Sequence, residues 1–422
     1  GVAHTPHRLA AINTEKIRSE MDSGYTISAS PSVVSTGDSQ VQVTWSGKVA
    51  SSDWIGVYSP PITDFAATCP VSYVWTSDCP SNSFTFTLVN LRADYQFVYF
   101  TGGHTNAEGL ATSNTVSFSN PKEPLQGHIA FTGVASQMRI MWNSAPSSTT
   151  PQVKYGTEPN SLSNVVNAQT TSYTQGQMCG SPASDIGWRD PGNLYNALLT
   201  GLQEGTTYYY SYGNSEGGFS AVSNFTTTTS TLPDPGRLRH FVAFGDMGTF
   251  AADMSAFGGN RGQLASLNTT RLMLKEMPEM EMVLHIGDIS YARGYGSDWD
   301  YFMNQIEPFA TQVPWMVCGG NHERDWPNSG SLYPNSTDSG GECGVALMER
   351  FVMPSASTQF ANDGSEPWPS QTTPWYSFNF PPVHFVLMTT EEDFSQGSPP
   401  VSYTHLRAHE TDSYLVCRLL LE

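Results

Sequence analysis

Hydrophobic and polar residues alternate along much of the first part of the chain. The alternation is clearest in two stretches, Val41, Val43 and Trp45, and Phe84, Phe86 and Leu88. A period of two is typical of a half-buried β-strand, and glycine, proline and serine separate these short stretches. We therefore predict a β-rich N-terminal domain at residues 26–120, preceded by an N-terminal segment at residues 1–25.

A second region of alternation follows a proline-containing joint at residues 121–124. Its hydrophobic positions include Met138, Ile140 and Trp142, and later Tyr208, Tyr210 and Tyr212. A region of about 100 residues with this pattern is typical of an immunoglobulin-like or fibronectin III-like sandwich. A threonine run that ends in Pro-Asp-Pro indicates an extended linker. The second predicted domain and its linker thus occupy residues 121–235.

The period of the pattern changes after Arg237. Residues 264–277 have helical spacing, and residues 299–306 place apolar side chains at i, i+3, i+4 and i+7. Four apolar runs alternate with these helical patterns, at residues 241–244, 282–286, 314–318 and 383–388. We expect the first three to be buried strands and the last to be a fourth strand of the same sheet. This alternation predicts an α/β domain with a mostly parallel sheet at residues 236–399.

Short polar strings follow the first three of these predicted strands. They are Gly245-Asp246-Met247-Gly248, Gly287-Asp288-Ile289-Ser290-Tyr291 and Gly320-Asn321-His322-Glu323. Open α/β sheets gather their sites at the carboxyl ends of parallel strands, so the side chains of these strings should meet. Hard oxygen donors in such a place indicate a two-metal centre, and a two-metal centre indicates phosphoester chemistry.

Each string alone also has an ordinary structural explanation. Asp246 could cap a helix, Tyr291 could be a core tyrosine, and Asn321 with His322 could form a turn. A phenol titrates near pH 10, so only a strongly charged ion such as Fe(III) would hold Tyr291 as a phenolate near neutral pH. His322 is placed to touch a phosphate oxygen or to protonate a leaving alkoxide. The three strings in order, each after a strand, favour the metal centre.

The charge of the chain narrows the range of partners. Lys and Arg number 19 against 38 acidic residues, a net charge of −19, which argues against nucleic acid because phosphate backbones need basic patches. A small phosphate ester remains compatible, since a metal pair supplies local positive charge. No apolar run reaches about 18 residues, so no membrane span is expected. Residues 1–22 lack the apolar core of a signal peptide, which we therefore expect to be absent from this chain.

Glycosylation acceptors and cysteines favour an oxidising compartment. Acceptor triplets begin at Asn224, Asn268 and Asn335, and their number favours secretion, or delivery to a vacuole or lysosome. Six cysteines are consistent with that location.

Two pairs of cysteines are candidates for disulfides. Cys69 and Cys79 are near enough in sequence to close one loop, whereas Cys179 and Cys343 could pair across domains. Cys318 lies in an apolar run and is expected to be a buried free thiol.

Two arginines flank the strand-end strings. Arg293 and Arg324 could steer an anionic substrate, and surface ion pairs explain them equally well.

The strings and their flanks resemble the purple acid phosphatases, especially the large plant-type enzymes of the metallophosphoesterase superfamily. That family carries Gly-Asp-x-Gly, Gly-Asp-x-x-Tyr and Gly-Asn-His-Glu in this order. The similarity extends over most of residues 26–399, with further matching segments at residues 52–58, 178–182, 187–191, 321–330 and 338–344. The resemblance implies two β-sandwich-like domains followed by a metallophosphoesterase domain.

The resemblance also implies roles for the site residues. Asp246 and Tyr291 would bind Fe(III), and Asp288 would bridge it to a divalent zinc, manganese or iron. Asn321 would bind the divalent metal and, with His322, contact the phosphate. The implied activity is hydrolysis of a phosphate monoester by a metal-bound hydroxide. Phytate, sugar phosphates and nucleotides all remain open as substrates, and a homodimer is compatible.

The end of the sequence departs from the family pattern. The family completes its site with three more histidines, in Val-x-x-His and Gly-His-x-His strings, and neither string occurs here. Position 392 is Glu, where relatives often carry His. Residues 400–422 resemble translated adaptor or vector sequence, so His405 and His409 are not assigned to a metal site. We expect the catalytic domain to be incomplete and this chain to have little or no activity.

Two other functions stay open at this point. A different metallophosphoesterase, such as a phosphodiesterase, usually opens with Asp-x-His and lacks the tyrosine, so Met247 and Tyr291 argue against it. A secreted, non-catalytic β-sandwich binding protein would carry the motifs as vestiges.

Overall fold

A computed structural model describes residues 7–230, 239–255, 263–325, 330, 337–354, 375–392 and 416–417. The predictions for Asn335, for His405 and His409, and for most of the tail lie outside these residues. Within the described parts of the chain, no helix has the length and hydrophobicity that a bilayer crossing needs.

The N-terminal region forms β-sheets, as the alternating pattern predicts. Its strands are β1 (Arg18–Ser19), β2 (Thr26–Ser30), β3 (Val33–Val34), β4 (Ser39–Ser46), β5 (Trp54–Tyr58), β6 (Ser72–Trp75), β7 (Ser83–Leu88), β8 (Gln96–Thr101), β9 (Glu108–Thr112) and β10 (Ser117–Phe118). They form sheets in the orders β1-β9-β8-β5-β6, β2-β4-β7 and β10-β3. In β4 the side chains of Val41, Val43 and Trp45 are buried while their neighbours face outward.

The N-terminal segment packs onto this region. Strand β1 pairs in parallel with β9, and Leu9, Ile12 and Ile17 are buried in one cluster with Trp54 of β5. This packing explains why all five residues of β5 are buried, although a strand with one solvated face would alternate.

The second region is a two-sheet sandwich. Its strands are β11 (Leu125–Ala130), β12 (Met138–Ser144), β13 (Gln152–Gly156), β14 (Asn164–Asn167), β15 (Gln169–Thr171), β16 (Asn193–Leu199), β17 (Thr207–Asn214), β18 (Gly218–Phe219) and β19 (Ser223–Thr226). One sheet has the order β11-β12-β16-β15; in the other, β14-β13-β17-β18, strand β19 also pairs with β17. The prediction of a second sandwich is confirmed.

The third region combines helices with parallel strands. Its elements are β20 (Phe241–Phe244), α1 (Ala265–Glu276), β21 (Met282–Ile286), α2 (Ser297–Ala310), β22 (Trp315–Cys318), α3 (Val345–Arg350), β23 (Tyr376–Phe380), β24 (Val383–Leu387) and β25 (Val416–Cys417). Strands β20, β21 and β22 are parallel neighbours in that order. The three strand ends therefore lie side by side at one edge.

Two expectations about these strands are wrong. Strand β20 is not buried, because its described pairing is with β21 alone and Phe241 is 41% exposed. Strand β24 forms where predicted, but it pairs with β23 and β25 in a separate described sheet rather than with the parallel strands. An apolar run fixes neither which strand will pair with it nor in which direction.

The second sandwich and the α/β region share a continuous hydrophobic core. Hydrogen bonds cross the same boundary: Tyr210 Oη donates to the carbonyl of Thr311 at 2.6 Å, and Tyr212 Oη to Glu307 Oε1 at 2.7 Å. The sandwich therefore supports helix α2, whose Phe302 packs against His285 of β21 and Trp315 of β22.

Candidate metal centre

The three strand-end loops are joined by backbone hydrogen bonds. The amide of Asp246, after β20, donates to the carbonyl of Gly287 at 3.2 Å, and the amide of Gly248 donates to Ile289 at 2.9 Å. The amide of His322, after β22, donates to the Asp288 carboxylate at 3.3 Å. The loops thus hold their side chains in one place, as the sequence predicts.

The backbone of these loops is strained. Asp246, Asp288 and Tyr291 have φ values of 58°, 51° and 55°. Non-glycine residues rarely adopt this left-handed region, and each such residue costs on the order of 1–3 kcal/mol. Strain of this kind collects at functional sites, where it orients side chains that the regular backbone would direct elsewhere.

Tyr291 lies between two carboxylates. Its phenolic oxygen is 2.6 Å from Asp246 Oδ1 and 2.9 Å from Asp288 Oδ2. Burial, together with the charge of the two carboxylates, holds the pKa of Tyr291 far above its ordinary value. Burial also raises the pKa of Asp288 to about 6, with the Tyr291 hydrogen bond opposing the rise and the Asp246 charge adding to it. The phenol therefore keeps its proton unless a strongly charged cation replaces it.

Asn321 and His322 lie beside this cluster. The Asn321 amide nitrogen donates to Asp338 Oδ2 at 3.0 Å. The His322 ring is almost fully buried, with its centroid 4.6 Å from that of Tyr291 and its Nε2 3.7 Å from Asp288 Oδ2. His322 therefore sits against the residue that the resemblance assigns as the bridge.

Gly320 lets the second and third loops approach each other. A Cβ at this position would lie 2.4 Å from Asp288 Oδ1 and 2.7 Å from the Asp288 backbone nitrogen. Neither distance is compatible with a real Cβ contact, so a side chain here would displace the carboxylate of Asp288.

Two buried glutamates, to which the sequence analysis assigned no role, support the site. Glu323 accepts hydrogen bonds from the amides of Ile289 at 2.8 Å and Gly320 at 3.1 Å, which ties the second loop to the third. Glu342 accepts from the amide of Gly294 and from Trp299 Nε1, both at 2.7 Å. Burial raises the pKa of both, that of Glu342 to about 7. Glu323 belongs to the third strand-end string and Glu342 to the matching segment at residues 338–344, but their hydrogen-bond partners include residues from other parts of the chain.

The two flanking arginines differ in their surroundings. Arg293 is only 7% exposed, and its guanidinium lies over the Tyr291 ring at 4.7 Å, so the surface explanation fails for it. Arg324 makes an ion pair with Glu392 at 3.3 Å, as the ion-pair explanation predicts. Arg293 is therefore the better candidate for attracting an anion.

A disulfide attaches a loop of the second region beside the site. Cys179 is bonded to Cys343, and the amides of Cys179 and Ala183 donate to the carbonyls of Gly341 and Gly340 at 2.8 and 3.1 Å. The cross-domain pairing considered from the sequence is confirmed.

The proposed pairing of Cys69 with Cys79 is wrong, since both are free thiols. They are buried in different hydrophobic clusters of the N-terminal region, and nearness in sequence did not bring them together. Cys318 is a free, partly buried thiol.

The glycosylation acceptors have different exposures. Asn268 is exposed on α1, whereas Asn224 is half-buried in β19. Glycosylation at either position stays a prediction.

The donors present fit one hard cation better than a complete metal pair. Carboxylate oxygens of Asp246 and Asp288 both lie within 2.9 Å of the Tyr291 phenol oxygen. Carboxylate and phenolate oxygens are the donors that a hard ion prefers. In the described part of the chain, no three His, Cys, Asp or Glu side chains form a metal site by themselves. For a second ion, only the Asn321 amide oxygen and the shared Asp288 are assigned from the sequence.

Two family models match the chain. The purple acid phosphatase N-terminal domain matches residues 124–227, and the calcineurin-like phosphoesterase domain matches residues 239–393. These matches place the second sandwich and the strand-end site in their respective families.

Similar proteins come from plants. An Arabidopsis thaliana protein named probable inactive purple acid phosphatase 27 is 37% identical, covering 83% of this chain and 58% of that protein. The Arabidopsis protein named probable inactive purple acid phosphatase 1 is 33% identical, covering 95% of this chain and 68% of that protein. The chain thus spans about three fifths to two thirds of the length of these relatives.

A solved structure shares the whole arrangement. The purple acid phosphatase PPD1 from yellow lupin seeds superposes with a TM-score of 0.79 and 32% identity, covering 93% of this chain and 71% of that one. With the matching family models and the strand-end motifs in place, this likeness shows that the chain belongs to the purple acid phosphatase family.

Proposed function

We propose that the protein hydrolyses phosphate monoesters at a site that holds Fe(III) and a divalent zinc, manganese or iron. The observation that carries this proposal is the convergence of Asp246, Asp288 and Tyr291 around one phenolic oxygen. Membership of the purple acid phosphatase family supports a phosphoesterase in general, and the metals and the substrate class are our inference.

The residues have distinct roles in this proposal. Asp246 and Tyr291 would hold Fe(III), Asp288 would serve both ions, and Asn321 would provide its amide oxygen to the divalent ion. When bound, the ions supply positive charge that activates a water molecule and offsets the charge of the phosphate oxygens. His322, whose ring lies against that of Tyr291, donates a proton from Nε2 to the ester oxygen that leaves. This step requires the imidazolium form, because the proton on Nδ1 faces a carbonyl oxygen. Arg293 adds positive charge beside the same carboxylates.

The expected rate of hydrolysis by this chain depends on the ligands that its sequence contains. Its sequence contains neither of the histidine strings that complete the family's site, and two of its relatives bear names that call them probably inactive. Because two-metal catalysis needs both ions, we expect the 422-residue chain to hydrolyse p-nitrophenyl phosphate far more slowly than a purple acid phosphatase with all its ligands. Turnover at the rate of such an enzyme would contradict this expectation.

Iron loading tests the proposed centre directly. Adding Fe(III) to the purified chain should produce a visible absorption band from phenolate-to-iron charge transfer. Tyr291→Phe should abolish the band, whereas Tyr155→Phe, on strand β13 of the second sandwich, should leave it intact. A colourless wild type, or a band that survives in Tyr291→Phe, would remove the basis of the proposal.

A non-catalytic role for the β-rich half remains the second candidate, favoured by the names of the Arabidopsis relatives. In that case Asp288→Ala would leave binding of the natural ligand unchanged. Export from the cell or delivery to a vacuole is part of the same proposal, and glycosylation at Asn224, Asn268 or Asn335 would be its mark.

A further inference from the structure

Asp338 contacts two polar side chains of the third strand-end string, those of Asn321 and His322, although it lies outside all three strings. Its carboxylate Oδ2 is 3.0 Å from the Asn321 amide nitrogen, and its backbone carbonyl oxygen is 3.2 Å from His322 Nδ1. The residue is 6% exposed. One buried residue thus contacts the candidate metal ligand and its neighbouring histidine.

The contact with Asn321 selects one of two amide orientations. A carboxamide has an NH2 group at one end and an oxygen at the other, and only the oxygen can bind a cation. Facing the Asp338 carboxylate, the NH2 group makes a charge-assisted hydrogen bond, whereas the oxygen would meet a second acceptor at 3.0 Å. The side-chain nitrogen of Asn321 is therefore engaged by Asp338, and its side-chain oxygen is the atom that can bind a metal.

The contact with His322 selects one tautomer in the same way. A carbonyl oxygen only accepts, so the ring nitrogen that faces it, Nδ1, carries a proton. This contact directs Nε2 towards Asp288, whose Oδ2 lies 3.7 Å away. Because it comes from the backbone, it should survive replacement of the Asp338 side chain.

Asp338 is itself fixed in position. The carboxylate of Asp325 accepts hydrogen bonds from the Asp338 amide at 3.1 Å, the Ser339 amide at 3.2 Å and the Thr337 hydroxyl at 2.8 Å. Groups that orient a metal ligand act only if they are held rigidly themselves. The Asp325 contacts provide that rigidity.

We propose that Asp338 is the positioning residue of the divalent half of the site: its carboxylate holds the Asn321 amide so that the oxygen serves as ligand. The inference rests on the proposed metal centre, but it concerns a residue that no strand-end motif contains. It predicts that zinc binding needs a hydrogen bond between the side chains of residues 321 and 338. Either residue can be the donor as long as the other is the acceptor.

The test exchanges donor and acceptor. Zn²⁺ is titrated calorimetrically into the Fe(III)-loaded chain for the wild type, Asp338→Ala, Asp338→Asn, Asn321→Asp, and the double variant Asn321→Asp with Asp338→Asn. Asp338→Ala should weaken Zn²⁺ binding about ten-fold, the usual size for loss of a group that orients a ligand. Asp338→Asn keeps an acceptor oxygen and should stay within about three-fold of the wild type.

The double variant is the decisive comparison. Asn321→Asp alone sets two carboxylates against each other and should weaken binding, whereas the double variant restores a donor opposite an acceptor and should recover most of the affinity. If Asp338 mattered only for folding, the single effects would add, and the thermal midpoint would fall together with the affinity. Additive effects, or an Asp338→Ala variant that binds Zn²⁺ like the wild type, would overturn the inference.

A second readout does not depend on metal. In ¹⁵N-resolved NMR spectra, the side-chain NH2 signals of Asn321 should shift in Asp338→Ala and stay near their wild-type positions in Asp338→Asn. The Nδ1 signal of His322 should be unchanged in both. If the wild type binds neither Fe(III) nor Zn²⁺, the proposed function fails; unchanged Asn321 signals in Asp338→Ala refute the positioning role alone.

Discussion

Arg92 and Asp300, which are 208 positions apart in the sequence, form a buried bidentate ion pair. Arg92 Nη1 lies 3.0 Å from Asp300 Oδ1, and Nη2 lies 2.9 Å from Oδ2. Arg350 and Gln126 approach the same carboxylate at 3.4 and 2.8 Å. Residues from all three regions of the chain thus contact one carboxylate on helix α2.

Breaking this junction should be costly. Arg92→Met leaves the Asp300 carboxylate buried with less compensation, and we expect a loss of about 3 kcal/mol in the free energy of unfolding. Lys122→Ala is the control, because the ion pair of Lys122 with Glu216 is exposed to solvent and should contribute far less to stability. Urea denaturation of the two variants makes the comparison, and equal losses would contradict it.

A methyl group at Gly320 should disable the metal centre. In Gly320→Ala the new Cβ meets Asp288 Oδ1 at 2.4 Å, so the carboxylate must move and Fe(III) affinity should fall by about ten-fold or more. Gly176→Ala provides the control, since nothing lies within 4 Å of a Cβ at that position. The visible band at limiting Fe(III) reports the affinity. A full band in Gly320→Ala would show that the close approach has no importance for binding.

The Cys179–Cys343 disulfide, which joins the second sandwich to the α/β region, should stabilise the folded protein. It closes a loop across 164 positions, and disulfides typically contribute about 2–4 kcal/mol, with more for longer loops. Replacing both cysteines by serine should lower the thermal midpoint. Dithiothreitol provides the internal control: it should lower the midpoint of the wild type and leave that of the double variant alone. A wild type indifferent to reduction would argue against a stabilising role.

His104 should make the N-terminal region sensitive to acid. Its ring stacks on Trp75 at 4.3 Å and meets the edges of Trp54 and Tyr73, and burial lowers its pKa from 6.5 to about 4. As the pH falls, His104 therefore becomes protonated near pH 6.5 in the unfolded chain but only near pH 4 in the folded chain. The associated stability is present in full above that range and is lost as the pH falls through it.

Replacement by phenylalanine isolates this effect. His104→Phe keeps an aromatic ring in the cluster, so the fall in unfolding free energy between pH 7.5 and pH 4 should be smaller than in the wild type, by up to about 3 kcal/mol. Other buried histidines titrate in both proteins and cancel in the difference. Parallel pH profiles for the two proteins would show that His104 does not carry the acid sensitivity.

Local patterns in the sequence were enough to predict the helices and strands and the position of the candidate site. The alternation around Val41 and Val43 became strand β4, and helical spacing became α1 and α2, because periodicity is a property of neighbouring residues. Asp246, Asp288 and His322 came together because the ends of adjacent parallel strands meet at one edge. These predictions needed no knowledge of which distant parts of the chain touch.

Strand pairing, disulfide pairing and contacts between distant segments became known from the tertiary structure alone. It put β24 in a sheet apart from the parallel strands, left β20 exposed, and joined Cys179 to Cys343 rather than Cys69 to Cys79. It also placed Asp338 against Asn321 and His322, a contact across a loop with no periodic signal. Such pairings depend on which faces are buried against each other and on the closure of long loops, and neither is encoded in any short stretch of residues.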